Sequence, residues 1–197
     1  MKNICVIGSM NMDTTTYIKG SLNGPYDKAD IDEKMRIEYS PGGKANNQAR
    51  STRLQLTENS GSKVFLIGCV GDDKAGENIK KACLESDVDI SGVETLEEKK
   101  TDGRLVEVTT QGKDKGQNKM IGFGDCIKHI TPEMLKKHED ILSNSDIVMI
   151  QLKMPANTVK FIIEYCTEHG KTIIVDPAPE KNISAILESD LLDKIDY

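Results

Sequence analysis

Short apolar runs that alternate with helical patterns constrain the fold of this chain more than any other feature. Buried strands are predicted where such runs occur, at residues 4–7, 63–68, 147–150 and 172–175. Amphipathic helices are predicted at residues 74–85, 157–169 and 184–192. This alternation predicts an α/β protein with a mostly parallel central sheet and helices on its faces.

Three other segments suit strands but do not fit this rhythm. They lie near residues 14–18, 34–39 and 103–122, and the last contains a hairpin around a polar loop. We expect them to form a separate small sheet on the main domain. Residues 195–197 look like the start of another buried strand. We therefore expect residues 1–197 to form a single but incomplete domain, the N-terminal part of a longer protein.

Charge and hydropathy restrict the classes of partner. The chain has 197 residues, a formal net charge of −6 and no basic arm, which argues against nucleic acid and membrane surfaces as partners. No apolar run is long enough to span a bilayer. We therefore expect a soluble, cytoplasmic protein.

The five cysteines and three histidines indicate neither a zinc site nor a disulfide framework. The sequence has no CxxC pair, and Cys5 and Cys69 lie in apolar runs that are typical of a core. His129, His138 and His169 fall in polar surroundings near predicted helix ends. We expect these three histidines to be exposed to solvent.

Polar residues follow the first predicted strand, at the kind of position where α/β proteins bind ligands. Asn11 and Asp13 are two residues apart, and side chains at i and i+2 of an extended segment point to the same side. An amide and a carboxylate side by side can engage the hydroxyl groups of a polyol as donor and acceptor. The alternative interpretation of the pair is an Asx turn or a helix cap.

A glycine-rich loop, Gly42-Gly43-Lys44, comes directly before a helical pattern. The glycines would let backbone N–H groups approach a ligand, and the helix N-terminus favours electronegative atoms. Lys44 adds a cation, and Asn47 can reach back from the first turn. The alternative is a glycine turn with solvated polar side chains. The chain has neither a GxxxxGK[ST] loop nor a GxGxxG motif after a strand, so neither a Walker loop nor a dinucleotide site is predicted.

Three further polar residues begin helices or end a strand. The segment Gly71-Asp72-Asp73 is expected to cap the helix that begins at Lys74, and Thr131 to cap a helix with Pro132 in its first turn. Asp176 follows the strand at residues 172–175, which makes it another candidate for a ligand site.

Taken together, these segments resemble the ribokinase-like, or phosphofructokinase-B (PfkB), family of carbohydrate kinases. The order and spacing of six segments carry the resemblance, which runs over essentially the whole chain. They are VIGSMNMD at residues 6–13, PGGKANNQA at 41–49, FLIGCVGDDKAGENI at 65–79, TDG at 101–103, IQLKMP at 150–155 and IIVDPAP at 173–179.

The resemblance implies a three-layer fold and a kinase activity. The central sheet would be flanked by helices, and the small sheet would form a lid that often makes the dimer contact in relatives. The implied reaction is ATP-dependent phosphorylation of a hydroxyl group of a sugar or nucleoside, with Mg²⁺ and often a monovalent cation such as K⁺.

The resemblance also implies roles for individual residues. By match, Asn11 and Asp13 would bind sugar hydroxyls, and Asp176 would lie near the nucleotide and metal. The remaining matched residues would line the sugar site: Gly42, Gly43, Lys44 and Asn47. Lys153 stands where relatives often carry a glutamate that contacts the sugar, and this charge reversal suggests a phosphorylated or acidic sugar.

Other departures concern the glycine loop and the catalytic groups. Relatives usually read GGKGANQA, whereas this chain has Ala45 and Asn46. Ala45 would be strained if its position needed a positive φ. The family's GAGD-type motif, which holds the catalytic aspartate and the glycines of the anion hole, has no match in this chain. We therefore expect the chain alone to be inactive.

Two other functional interpretations remain open. The chain could be a truncated or degenerate family member that binds a sugar or a partner chain without catalysis. An α/β nucleotide-binding domain of unrelated function is a third interpretation, but it would need a phosphate loop that the sequence does not contain.

Overall fold

The computed structural model describes residues 1–19, 30–31, 37–57, 60–179 and 190–197, with only the backbone at residues 30–31. Ten strands and five α-helices are present in these ranges, together with short 3-10 helices at Cys126–His129 and Leu192–Lys194. In chain order the strands and α-helices are β1 (Ile4–Ile7), β2 (Asn11–Lys19), β3 (Asp30–Ile31), β4 (Glu38–Gly42), α1 (Lys44–Gln55), β5 (Val64–Gly71), α2 (Lys74–Glu85), β6 (Asp89–Leu96), β7 (Gly103–Thr109), β8 (Asn118–Phe123), α3 (Pro132–Lys137), α4 (Glu139–Ser143), β9 (Ile147–Gln151), α5 (Ala156–Glu168) and β10 (Thr172–Asp176).

The central sheet has five parallel strands in the order β10-β9-β1-β5-β6. The middle strand, β1, is in register with both neighbours, so that Ile4 lies between Val64 and Ile147. Because all five strands run the same way, their carboxyl ends meet at one edge of the sheet. The predicted parallel sheet is confirmed.

Helices cover both faces of this sheet, which gives the three-layer fold that was expected. Along β1, Ile4 and Val6 belong to the core cluster beneath α1 and α2, whereas Cys5 and Ile7 belong to the cluster beneath α3, α4 and α5. Since successive strand residues point to opposite faces, a strand buried on both sides must be apolar throughout. Full burial of a side chain such as Ile7 stabilises the fold by roughly 1.5–3 kcal/mol.

A second sheet of five strands lies beside the central one. Its order is β3-β2-β7-β8, and β4 also pairs with β2. Strand β2 begins at Asn11, three residues before the predicted start, because Asn11 and Asp13 pair with Gly42 and Ser40 of β4. Strand β4 covers residues 38–42, and residues 34–36 of the strand predicted at 34–39 lie outside the described ranges.

Helix termini follow the sequence signals where the structure describes them. The Asp73 carboxylate accepts a hydrogen bond from Gly76 N at 3.0 Å, and Thr131 Oγ1 accepts one from Met134 N at 3.3 Å. Gly170 adopts a φ of 60° after the end of α5. Residues 180–189 are outside the described ranges, so most of the helix predicted at 184–192 is too.

The chain end pairs with the edge of the central sheet. Val175 N donates to Tyr197 O, and the N–H groups of Asp196 and Tyr197 donate to Ile173 O. The buried strand expected at residues 195–197 is not formed in the described residues, because the segment makes these hydrogen bonds without a strand and 78% of Tyr197 is exposed.

All five cysteines are buried and unpaired. Burial raises the pKa of the Cys83 and Cys126 thiols to about 11, so both stay protonated at neutral pH. The expectation of an exposed His138 is wrong. Its side chain is only 17% exposed, because the junction of α3 and α4 packs it against Glu94 of β6, with Nε2 3.4 Å from Glu94 Oε1.

Across the described ranges, no helix is both long and apolar enough to cross a membrane. The longest, α5, has 13 residues.

Candidate functional site

The candidate site lies where the carboxyl ends of β1, β9 and β10 meet strand β2 and the start of helix α1. This edge is the usual ligand position of an open α/β sheet.

The second sheet has two faces, and we call the one that carries Asn11 and Asp13 the Asp13 face. The opposite face, which carries Met12 and Thr14, is called the Thr14 face.

Asn11 and Asp13 lie side by side, as the sequence predicts. Asn11 Nδ2 donates a hydrogen bond to Asp13 Oδ1 at 2.5 Å. Only 1% of Asn11 is exposed, and its Oδ1 finds no hydrogen-bond partner among the described residues. A buried acceptor without a partner costs about 1–3 kcal/mol, and a hydroxyl donor from a ligand would remove that cost.

Two adjacent glycines shape the site in different ways. A Cβ atom at Gly42 would lie 2.3 Å from Asp13 Oδ2, so the missing side chain leaves room for the carboxylate. Gly43 has a φ of 97°, and a Cβ there would lie 2.4 Å from Ser9 O. Gly42 thus makes space for a functional group, whereas Gly43 lets the backbone turn into α1 against the segment after β1.

The amino terminus of α1 is satisfied within the protein. Lys44 N donates to Ser9 Oγ at 3.1 Å, and the N–H groups of Ala45 and Asn46 donate to Ser9 O at 3.1 and 3.4 Å. These three N–H groups of the first turn of α1 therefore already have acceptors within the protein. Ser9 lies in the segment that follows β1, and it takes the place that an anion would occupy.

Ala45 carries no backbone strain. It lies in the first turn of α1 and is fully buried, and the positive φ of this loop belongs to Gly43. Asn46 is also fully buried, where its Oδ1 lies 3.2 Å from Cys83 Sγ. Its Nδ2 donates to Oδ1 of the exposed Asn47 at 3.1 Å, so the Asn47 side chain is tied to its own helix.

Lys44 and Asp176 connect two of the sequence segments. Lys44 Nζ lies 2.7 Å from Asp176 Oδ2, and Ala178 N donates to Asp176 Oδ1 at 3.0 Å. Burial alone would raise the pKa of Asp176, but these two hydrogen bonds and the charge of Lys44 outweigh it and lower the pKa. The carboxylate is therefore ionised at neutral pH and neutralises Lys44.

Lys153 follows β9 and is half-buried beside the Asp13 face. Burial disfavours its ammonium form and lowers its pKa. Asp102 opposes this shift most strongly, Arg104 adds to it, and Asp13 opposes it weakly. Lys153 therefore lies within electrostatic reach of the Asn11–Asp13 pair.

Sequence reasoning did not single out Arg104 or Gln151. Arg104 follows the TDG segment and is the β7 partner of Asp13, a register that depends on non-local pairing. Gln151 ends β9 and is fully buried. Its Nε2 donates to Gln48 Oε1 at 2.6 Å, while its Oε1 lacks a partner in the described part of the chain.

The TDG segment has a structural role. Thr101 Oγ1 donates to Asp73 Oδ1 at 2.6 Å and accepts from Gly71 N at 3.0 Å. The buried carboxylate of Asp102 accepts from the N–H groups of Cys126 and Ile127 at 2.8 and 3.3 Å. This segment therefore fixes the start of α2 and the chain after β8.

The described residues do not build a metal site by themselves. Within those ranges, no group of three His, Cys, Asp or Glu side chains converges as metal ligands. Asp176, the residue matched to the nucleotide and metal region, directs both oxygens at donors of the protein. No set of Mg²⁺ ligands follows from this geometry.

A separate cleft of about 410 Å³ lies on the Thr14 face. It runs between the second sheet and the start of α2, and its walls include Tyr39, Phe123, Lys74 and Lys100. Since Met12 and Thr14 line it, the cleft lies on the other side of β2 from the Asn11–Asp13 pair.

Sequence comparisons identify the family of the chain. The family model for the pfkB family of carbohydrate kinases matches residues 1–196. The ribokinase of Bacillus subtilis is 30% identical over 183 residues, which are 92% of this chain and 57% of that protein. The ribokinase of Schizosaccharomyces pombe is 27% identical over 179 residues, 91% of this chain and 54% of the relative.

Solved structures show the same fold. Thermotoga maritima ribokinase is 25% identical with a TM-score of 0.72, covering 92% of this chain and 54% of its own. Arabidopsis thaliana ribokinase complexed with ribose and ATP is 24% identical with a TM-score of 0.74, covering 90% of this chain and 54% of its own. The chain thus spans a little over half the length of these relatives. The chain belongs to the pfkB family of carbohydrate kinases.

Proposed function

We propose that this chain provides the sugar-binding part of a kinase that transfers the terminal phosphoryl group of ATP to a sugar hydroxyl. The observation that carries the proposal is the buried pair of Asn11 and Asp13, with the unpartnered Asn11 Oδ1 at the ligand edge of the sheet. The family membership supplies the reaction class.

The proposed roles follow from hydrogen-bonding capacity. Asn11 Oδ1 and the free lone pairs of the Asp13 carboxylate accept hydrogen bonds from sugar hydroxyls. Gly42 leaves room for the carboxylate, and the other matched residues line the site: Gly43, Lys44, Asn47 and Lys153. A sugar that lacks the matching hydroxyl leaves Asn11 Oδ1 unpaired, and this cost gives the site its selectivity.

The nucleotide is proposed to lie beyond Asp176. The Lys44–Asp176 ion pair is the boundary between the sugar segment on α1 and the nucleotide segment after β10. A ribokinase of the same fold has been solved with ribose and ATP. When bound, Mg²⁺ and a monovalent cation such as K⁺ would neutralise phosphate charge.

Catalysis is proposed to need groups that this chain does not contain. In-line transfer needs a base for the attacking hydroxyl and N–H donors for the phosphoryl oxygens. The GAGD-type motif that provides them in the family has no match in the sequence. We expect the chain alone to bind sugar without phosphorylating it. The second candidate, a non-catalytic sugar-binding or interaction module, shares the binding step.

The second sheet is proposed to act as a lid and as a dimer contact, within a single domain and in the cytoplasm. Four large side chains of the Thr14 face support the dimer contact, because they are about half exposed or more. They are Tyr39 (69%), Leu105 (49%), Ile121 (66%) and Phe123 (50%). An exposed apolar patch of this kind typically marks an interaction surface.

Calorimetric titration with a sugar panel tests the binding proposal. The panel is ribose, fructose, fructose 6-phosphate and adenosine, with Asp13→Ala as the test variant and Asp140→Ala, an exposed aspartate on α4, as the control. At least one compound should bind the wild type and the control, with affinity lowered at least about tenfold in Asp13→Ala. Binding that is insensitive to Asp13→Ala would refute the site.

Incubation with ATP and the bound sugar tests catalysis separately. Formation of the sugar phosphate by the chain alone would contradict the expected lack of activity. Binding without turnover is the expected result.

A further inference from the structure

Two positively charged side chains belong to the candidate site, Arg104 on the Asp13 face and Lys153 in the turn after β9. In the parallel register of β2 and β7, Arg104 is the partner of Asp13, so both side chains leave the same face of the sheet. Lys153 follows the carboxyl end of β9, at the edge of the central sheet where the candidate site lies, and the charges of Arg104 and Asp13 both influence its pKa. The two cations are half-buried, and they stand beside the proposed sugar-binding pair.

The carboxylates nearby are directed at other donors. Asp13 Oδ1 accepts the amide of Asn11, and both oxygens of Asp102 accept backbone N–H groups. Within the described ranges, neither Lys153 nor Arg104 forms a hydrogen bond or an ion pair closer than 4 Å. By contrast, Lys44 in the same site is neutralised by Asp176.

Lys153 is partly removed from water. Burial lowers its pKa and the charge of Arg104 adds to this, while the charges of Asp102 and Asp13 oppose the shift without cancelling it. A partly desolvated pair of like charges is stabilised when an anion binds to both. Arginine binds phosphate and carboxylate through two parallel hydrogen bonds, and lysine adds a mobile point charge.

We propose that the substrate of this site is an anionic sugar, whose phosphoryl or carboxyl group binds Lys153 and Arg104 while its hydroxyls bind Asn11 and Asp13. This inference rests on the proposed function, because it assigns the ligand class of the same site. It predicts a preference for the charged member of any pair of otherwise similar sugars.

Matched pairs of sugars test the preference. The pairs are fructose with fructose 6-phosphate, ribose with ribose 5-phosphate, and glucose with glucuronate, each titrated by calorimetry at fixed ionic strength. One charged member should bind at least about tenfold more tightly than its neutral partner. The first two pairs test a phosphoryl group and the third tests a carboxyl group. The pair with the largest difference in affinity therefore shows which of the two anionic groups the site prefers.

Charge variants assign the preference to the two cations. Lys153→Gln and Arg104→Gln should each weaken binding of the charged sugar by about 10- to 100-fold. Their affinity for neutral sugars should fall clearly less than their affinity for charged ones, because the hydroxyl-binding pair is intact. Lys153→Arg should retain the preference. Lys113→Gln, which removes an exposed lysine in the hairpin loop between β7 and β8, is the control.

The outcomes separate this inference from the proposed function. If neutral sugars bind as tightly as charged ones, or if Lys153→Gln keeps full affinity for the charged sugar, the inference is wrong and the sugar site stands. If no sugar binds, or if Asp13→Ala changes nothing, the sugar site itself is wrong and the inference fails with it.

Discussion

At the scale of single residues, the two glycines before α1 should respond differently to the same substitution. Gly42→Ala places a methyl group against the movable Asp13 carboxylate, so sugar affinity should fall at least about tenfold with little change in stability. Gly43→Ala meets backbone atoms at a positive φ, and the free energy of unfolding should fall by about 1–3 kcal/mol. Urea denaturation and calorimetry of both variants measure these effects. Equal loss of stability in the two variants would contradict this difference.

The Lys44–Asp176 pair should make stability depend on acidity. In the folded protein the pKa of the Asp176 carboxyl is lowered from the ordinary value of 3.8. The stability that the ionised carboxylate contributes is therefore complete above pH 3.8 and is lost as the pH falls through the lower folded pKa. Asp176→Asn should therefore lower Tm at pH 6–7 by about 1–4 °C, and the difference should shrink below pH 3.8. Asp140→Asn is the control. A difference that stays constant down to pH 3 would show that the pair contributes nothing through charge.

At the scale of elements, the cap of α2 also fixes the TDG segment. The Asp73 carboxylate accepts from the N–H groups of Gly76 and Thr101 and from the Thr101 hydroxyl. Asp73→Ala should lower the free energy of unfolding by about 1–2 kcal/mol, because these donors lose their partner. Asp72→Ala, the neighbouring exposed carboxylate, should change it by less than about 0.5 kcal/mol. Equal effects of the two variants in urea denaturation would argue against the cap.

The sequence predicted those elements whose signals are local. Helix α2 was predicted with both ends correct, because its apolar stripe and the Asp73 cap lie within a few residues of each other. Strand β1 was equally clear, because burial on both faces makes it uniformly apolar. The earlier start of β2 at Asn11 was missed, since it depends on pairing with β4.

The features of the candidate site also differ in whether a local sequence pattern predicts them. The Asn11–Asp13 pair follows from strand alternation alone. The capping of α1 by Ser9 and the place of Arg104 beside Asp13 depend on contacts between distant segments, which no local pattern records. Comparison of Ala45 with a family glycine left the need for a positive φ at that position open, and the structure gives the positive φ of this loop to Gly43.

At the scale of the whole molecule, the Thr14 face should mediate self-association. Ile121→Lys places a charge in the exposed apolar patch and should convert a dimer to a monomer in sedimentation velocity experiments at micromolar concentration. Met120→Lys is a matched control, because Met120 is 58% exposed on the Asp13 face of the same strand. A wild-type chain that is monomeric, or a dimer that Met120→Lys disrupts equally, would contradict this contact.

The central claim is that the Asn11–Asp13 pair forms a sugar site. The most direct test is a crystal structure of the chain with the tightest-binding sugar of the panel. Our account predicts sugar hydroxyls within hydrogen-bond distance of Asn11 Oδ1 and the Asp13 carboxylate, and any anionic group against Lys153 and Arg104. A sugar bound in the cleft of the Thr14 face, or anywhere without contact to Asn11 and Asp13, would contradict it.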